Sequence, residues 1–202
     1  MLHRATCPPI RGRLEQRLGS QIVIYADDLV ILCRRGKAEE ALLWLRAIMG
    51  KLKLTVNEEK THICKVPQAT FDFLGYTFGQ LYSPRTGQAR LGYRPSKQSV
   101  QRMVRKIHAL TTRTMSWQET TALVSKLNRL LRGWANYFQV RTLSRAYHAI
   151  DRYTAMRLRR WLRKKHKIRC SGFRAYPPSY LYETLRLVRL SCLSRNVPCA
   201  KA

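Results

Sequence analysis

Apolar residues run along this chain in two rhythms, a short one near the beginning and a helical one through the second half. Ile22 to Tyr25 and Leu29 to Cys33 are runs of β-branched or bulky residues, too short for buried helices and separated by Ala26, Asp27 and Asp28. They predict two strands joined by a tight turn that carries the acids. Ala38, Ala41, Leu42, Leu45, Ile48, Met49 and Leu52 then recur at helical spacing with charges between them, which predicts a helix across the back of that hairpin. Thr61 to Val66 predicts a further strand. Phe71 to Phe78 predicts another strand or a tight aromatic hairpin. Pro84 and Gly87, inside the segment from Leu81 to Tyr93, predict a surface β-hairpin.

Beyond that hairpin the period is near 3.6. Val100, Met103, Val104, Ile107 and Leu110 make one stripe, and Leu123, Leu127, Leu130, Leu131 and Trp134 a second. Leu143, Ala146, Tyr147, Ile150, Tyr153, Leu158 and Trp161 make a third, longer one. A last helix is expected after Pro177-Pro178, running through Leu181, Leu185 and Val188. The fold class is therefore α+β: a small sheet with one packing helix over residues 20–94, then an all-helical domain over 95–202. Residues 1–19, with two prolines, two glycines and four arginines, read as a basic leader.

Charge sharpens this division. The chain carries 39 Lys+Arg against 11 Asp+Glu, a net charge of +28 over 202 residues. Residues 1–78 balance at +4 and residues 79–202 at +24, so the helical part is the one suited to a polyanion. Such an excess repels itself and favours phosphate backbones, where bound counterions are released. An anionic membrane surface is the competing partner, but the basic residues lie among Trp and Tyr on several segments and not on one anchor helix. No apolar run reaches the ~18 residues of a membrane span. The six cysteines show no C-x-x-C pair, so neither a zinc site nor a disulfide framework is indicated, and a reducing cytoplasm is the expected setting.

Asp27 and Asp28 carry the candidate chemistry. Adjacent anions repel each other, and a hairpin between apolar strands ordinarily prefers Asn-Gly or Asp-Gly at its turn. A hard divalent cation such as Mg²⁺ offsets that repulsion and bridges to phosphates; an exposed acidic turn is the plainer alternative. The surrounding string Tyr25-Ala-Asp-Asp28 resembles the active-site hairpin of reverse transcriptases. Further blocks follow in the order found in one branch of that family, the group II intron reverse transcriptase/maturase. They are Leu54-Thr-Val-Asn-Glu-Glu-Lys-Thr61, Phe71-Asp-Phe-Leu-Gly-Tyr-Thr-Phe78, Arg94-Pro-Ser-Lys97, Leu131-Arg-Gly-Trp-Ala-Asn-Tyr-Phe138 and Arg159-Arg-Trp-Leu-Arg-Lys-Lys-His166.

The resemblance covers roughly residues 20–202. It implies a partial reverse-transcriptase palm over 20–94 and a maturase-specific thumb, or domain X, over 95–202. Nucleotide addition in that family uses two Mg²⁺ ions about 3.5–4 Å apart. By resemblance Asp27 ligates metal with Asp28 in support, and Lys60 is the candidate proton donor to pyrophosphate, though a solvated lysine reads equally well. Gly75 and Tyr76 resemble the primer grip, where a glycine lets backbone approach the primer closely. The family's further catalytic Asp and its fingers would precede Gln21, where Glu15 is the sole acid. The chain is therefore expected not to polymerise alone.

In the basic half, Ser96 is a candidate helix cap with Arg94 and Lys97 beside it, at the end a phosphate would approach. Trp134, Tyr137 and Phe138, spaced at three and four, suit a helix–helix core. Residues 157–169 hold eight Lys+Arg and no acid. Within that run Arg159, Arg160, Arg163, Lys164 and Lys165 are the main candidates for RNA contact, and Lys126, Arg129 and Arg132 are weaker ones. The leading expectation is a truncated intron-encoded protein that binds group II intron RNA and assists splicing. The alternative is an active RNA-directed DNA polymerase, acting on an RNA template and DNA primer, whose fingers and first Asp come from a complementing N-terminal fragment.

Overall fold

The computed structural model describes residues 19–82, 86–138 and 145–193. Leu143 of the third apolar stripe, Pro84, Cys7, Cys199 and most of the basic leader lie outside them. The chain divides into two compact units, one of residues 1–74 with 78–91 and one of residues 75–77 with 92–202. The predicted boundary at 94/95 thus falls three residues inside the second unit, which also takes Gly75 to Thr77.

The first unit begins with strands β1 (Gln21–Tyr25) and β2 (Asp28–Leu32), paired antiparallel with Tyr25 opposite Asp28. Helix α1 (Ala38–Lys51) follows. Its first turn carries Glu39 and Glu40 and its last Lys51, the arrangement that complements the helix dipole. Ala41, Trp44 and Ile48 of α1 pack on Ile22, Leu29 and Ile31, so the helix covers one face of the hairpin as its periodicity predicts. Val23, Ile24 and Leu32 remain exposed. Arg46 forks onto both carboxylate oxygens of Glu58 at 3.0 and 2.7 Å, and this pairing raises the arginine pKa and lowers the glutamate's.

Thr61 to Val66, expected as a strand, is irregular. The backbone there is taken up by a turn on Asn57, whose carbonyl accepts from the amides of Lys60 and Thr61 and from the Thr61 hydroxyl. With its first donors so committed and Pro67 closing the segment, no ladder forms. Phe71 to Phe78 takes the hairpin form: β3 (Phe71–Phe73) and β4 (Tyr76–Tyr82) flank a Leu74-Gly75 turn, with Phe71 stacked on Phe78 at 5.3 Å. Strand β5 (Ala89–Pro95) completes a sheet of order β3-β4-β5.

Three helices make most of the second unit: α2 (Lys97–Leu110), α3 (Thr120–Tyr137) and α4 (Arg145–Lys165). Their predicted stripes meet in one core, in which Ile107, Leu123, Leu127, Leu131, Ile150, Leu158 and Leu162 are fully buried. Each such side chain contributes on the order of 1.5–3 kcal/mol. No helix among the described residues is long and apolar enough to cross a membrane.

The expected last helix is broken into pieces. After α5 (Gly172–Ala175) comes a five-residue π-helical turn (Tyr180–Thr184), then Arg186 at φ +54°, then α6 (Leu190–Leu193). The π turn seats Leu181 in the core, and the left-handed residue redirects the chain so that Leu187 and Leu190 reach it too. Two polar side chains fix this path. Asn128 donates to the Arg186 carbonyl and accepts from the Val188 amide, and buried Asp151 accepts from the amides of Leu190 and Ser191 at 2.8 and 3.0 Å. Asp151→Ala strands both amides and is expected to lower stability by about 1–3 kcal/mol. Asp151→Asn, which keeps one acceptor, should recover part of that loss in a urea unfolding midpoint.

Candidate functional site

The sequence places one group of candidate residues in each unit. In the first, Ala26 and Asp27 form the two-residue loop of the β1–β2 hairpin and Asp28 opens β2. Ala26 stands at φ +49°, where a side chain costs on the order of 1 kcal/mol or more. That turn holds Asp27 and Asp28 adjacent and exposed. Among the described residues no third His, Cys, Asp or Glu joins them in a cluster. Their oxygens suit a hard cation, but as part of a ligand set only. Lys60 is exposed on the Asn57 turn, its amide held by the Asn57 side chain at 3.2 Å. No hydrogen bond or ion pair joins it to Asp27 or Asp28 among the described residues.

Gly75 and Tyr76 sit at the start of α2. The Gly75 carbonyl accepts from the Ser96 amide at 2.8 Å and from the Ser99 hydroxyl at 3.0 Å, while the Ser96 side chain caps the helix by accepting from the Ser99 amide. Gly75 is at φ +77°, and a Cβ there would come within 2.8 Å of the Ser99 hydroxyl. Glycine is required on both counts. Tyr76 donates to the Tyr137 carbonyl at 2.6 Å and packs against Phe138, with ring centroids 4.8 Å apart. Burial, then the neighbouring phenols of Tyr137, Tyr93 and Tyr147, push its pKa up to about 12, so it stays a donor at any physiological pH. Arg94 and Lys97 flank this cap and are exposed.

The basic run on α4 divides by helical angle. At 100° per residue, Arg157, Arg160 and Lys164 fall on one side, and Arg159 and Arg163 on average roughly a third of a turn away. Arg159 donates to the Tyr176 carbonyl at 2.8 Å and lies over the Phe173 ring at 4.8 Å; burial draws its pKa down, and Tyr182 partly offsets that. Arg163 donates to the Arg169 carbonyl at 3.3 Å. Lys165 donates to the carbonyls of Ser116 and Gln118 and lies over Trp161. Lys126 reaches the Gln118 side chain at 2.7 Å, while Arg129 and Arg132 are exposed along α3.

One cation of the basic run is buried. Arg157 is 7 % exposed; its Nε donates to the Thr111 hydroxyl at 2.9 Å, and Nη2 donates to the Thr111 carbonyl at 2.8 Å and the His108 carbonyl at 3.5 Å. It therefore satisfies the carbonyls left over at the end of α2. The i, i+3, i+7 spacing of 157, 160 and 164 was the available signal, but it does not say which side meets α2.

Two family models match this chain. The reverse transcriptase (RNA-dependent DNA polymerase) model matches residues 5–78, starting inside the stretch read as a basic leader and ending with the aromatic hairpin. The group II intron maturase-specific domain matches residues 100–176, from the first turn of α2 to the end of α5. No curated protein matches the chain. The acidic hairpin thus lies in a reverse-transcriptase domain. With the maturase-specific domain behind it, the chain belongs to the group II intron reverse transcriptase/maturase family.

Gly75→Ala is expected to lower stability by ~1–2 kcal/mol through strain at positive φ. Removing the obstructing hydroxyl as well, in Gly75→Ala with Ser99→Ala, should not restore the parent melting midpoint, because the backbone strain persists.

Proposed function

We propose that this chain is an RNA-binding maturase. In this reading the helical unit is the thumb, or domain X, that grips group II intron RNA and assists splicing, and the hairpin unit belongs to the palm. Its work would be done in the cytoplasm, on ribonucleoprotein. A single observation carries the reading. Arg157, Arg159, Arg163 and Lys165 are held by backbone carbonyls and ring faces and not by carboxylates, so their positive charge is positioned without being cancelled. Arg160 and Lys164 are exposed beside them, and Arg94, Lys97, Lys126, Arg129 and Arg132 extend the basic surface.

In the palm, Asp27 and Asp28 would hold Mg²⁺, which supplies charge neutralisation at the phosphates of an incoming nucleotide. Lys60 would serve as proton donor to pyrophosphate, and Gly75 and Tyr76 as the primer grip. Two-metal chemistry needs more oxygen ligands than this pair, so a further carboxylate must come from residues outside those described or from another chain. Polymerisation on an RNA template and DNA primer is the second reading, and the strained turn that presents both acids favours it.

Gel-shift titration with intron RNA across a salt series, with tRNA as competitor, tests the first reading. About five phosphate contacts predict a log–log salt slope near 3.5, at roughly 0.7 per phosphate for single strands. Equal affinity for intron RNA and tRNA at physiological ionic strength would overturn it. Primer extension with Mg²⁺ tests the second: the chain alone is expected to add no nucleotides, and incorporation lost in Asp27→Ala would show a working polymerase.

A further inference from the structure

Beside the buried Arg157 guanidinium lies a cavity of about 210 Å³ in the helical unit, between the end of α2, the 3₁₀ turn Arg113–Met115 and α4. Its cations, Arg113, Arg157, Arg160 and Lys164, come from the 3₁₀ turn and α4; His108 of α2 also lines it, and no carboxylate does. The three acids of residues 79–202 are Glu119, Asp151 and Glu183. Glu119 accepts from Thr121, Asp151 caps α6, and Glu183 lies on the π turn. None lines this cavity.

The guanidinium is built into the wall. Nε and Nη2 of Arg157 are fixed by Thr111 and His108, and Nη1 has no partner among the described residues. A cation nine-tenths buried, with an unused donor beside a cavity and no counter-ion, is an arrangement an anion completes. Arg160 and Lys164 are exposed and lie on the Arg157 side of α4, so they converge on the same space. Thr112 and Ser116 also line it, the Thr112 hydroxyl donating to the Ala109 carbonyl at 3.2 Å. Ser116 is followed by Trp117, which at 78 % exposed is the most exposed of the large apolar side chains in the described structure. An exposed tryptophan next to an anion pocket is suited to stacking on an unpaired base.

Resting on the RNA-binding reading above, we propose that this cavity seats one phosphate of the bound RNA backbone, with an unpaired base beside it stacked on Trp117. The pocket would give the otherwise diffuse basic surface a single fixed register on its RNA.

The test uses the full chain, intron RNA, and the variants Arg160→Gln, Lys164→Gln, their double, and Lys51→Gln with Lys53→Gln as a control of equal charge loss in the other unit. Circular dichroism melts check folding, which Arg160 and Lys164 support by no hydrogen bond among the described residues. Because both cations meet one phosphate, their losses should not add: the double should lower the salt slope by no more than one phosphate contact, roughly 0.7, and neither single by more than the double. Phosphate-ethylation interference should lose the same single position in all three. The control should keep that position. Trp117→Ala should weaken binding to unpaired RNA about tenfold with the slope unchanged.

Additive slope losses, or an interference pattern the variants share with wild type, would overturn the pocket while leaving RNA binding intact. So would stabilisation of wild type by inorganic phosphate, absent in the double variant, with no change in that variant's RNA slope, since the cavity would then take a free anion. Failure of wild type to prefer intron RNA removes the underlying reading instead.

Discussion

The helical unit depends on a substitution of dipoles for ions. With only three acids among residues 79–202, its cations cannot be matched by carboxylates, and like charges crowded on one helix would loosen it. Carbonyl oxygens take the role. The end of α2 receives Arg157, the Tyr176 carbonyl receives Arg159, the Arg169 carbonyl receives Arg163, and the turn before α3 receives Lys165. Ring faces add a second layer: Phe173 under Arg159, Trp161 beside Lys165 and Tyr182 beneath Arg189. The sheet unit shows the ordinary solution, with Lys37 on Glu40 and Arg46 on Glu58. A carbonyl fixes a cation in place without cancelling its charge, which is why the two units differ so much in what they can attract.

The same economy of acids shows in how the unit is closed. Asp151, a rare carboxylate in this half, accepts from two backbone amides where α6 begins, and among the described residues it pairs with no arginine. Asn128 does comparable work one helix away, at Arg186 and Val188. Polar side chains from the long helices thus fix the irregular segment after Pro178, while the aliphatic core of Leu181, Leu187 and Leu190 supplies the burial. At the other end, the single carbonyl of Gly75 gathers two donors from the first turn of α2, and Tyr76 ties the same segment to Tyr137.

Much of this was legible in the sequence wherever a period was sustained. The stripes from Val100, Leu123 and Ala146 became α2, α3 and α4, the run from Ala38 became α1, and the pair of short apolar runs became a hairpin with its acids at the turn. Short segments were the hard ones. Thr61 to Val66 has strand-like residues but its first backbone donors are captured by Asn57, a competition that local composition does not reveal. Leu181, Leu185 and Val188 have helical spacing, yet the chain needs a π turn and a left-handed Arg186 to bring Leu187 and Leu190 inward. Among the candidate site residues, the identity of the basic run was visible. The division of α4 into an Arg157–Arg160–Lys164 side and an Arg159–Arg163 side follows from spacing, but what each side meets is decided by α2 and α5, far off in sequence.

Dissolved electrolyte acts unequally on the two kinds of contact described for α4. Mobile ions gather around an exposed charge and weaken its pull on a distant polyanion, but they cannot enter between a guanidinium and a carbonyl oxygen already at hydrogen-bond distance. On the RNA-binding reading proposed above, brine concentrated enough to strip RNA from this surface would leave these hydrogen bonds between helices in place. The charge this surface presents and the bonds that hold its helices thus respond differently to ionic strength.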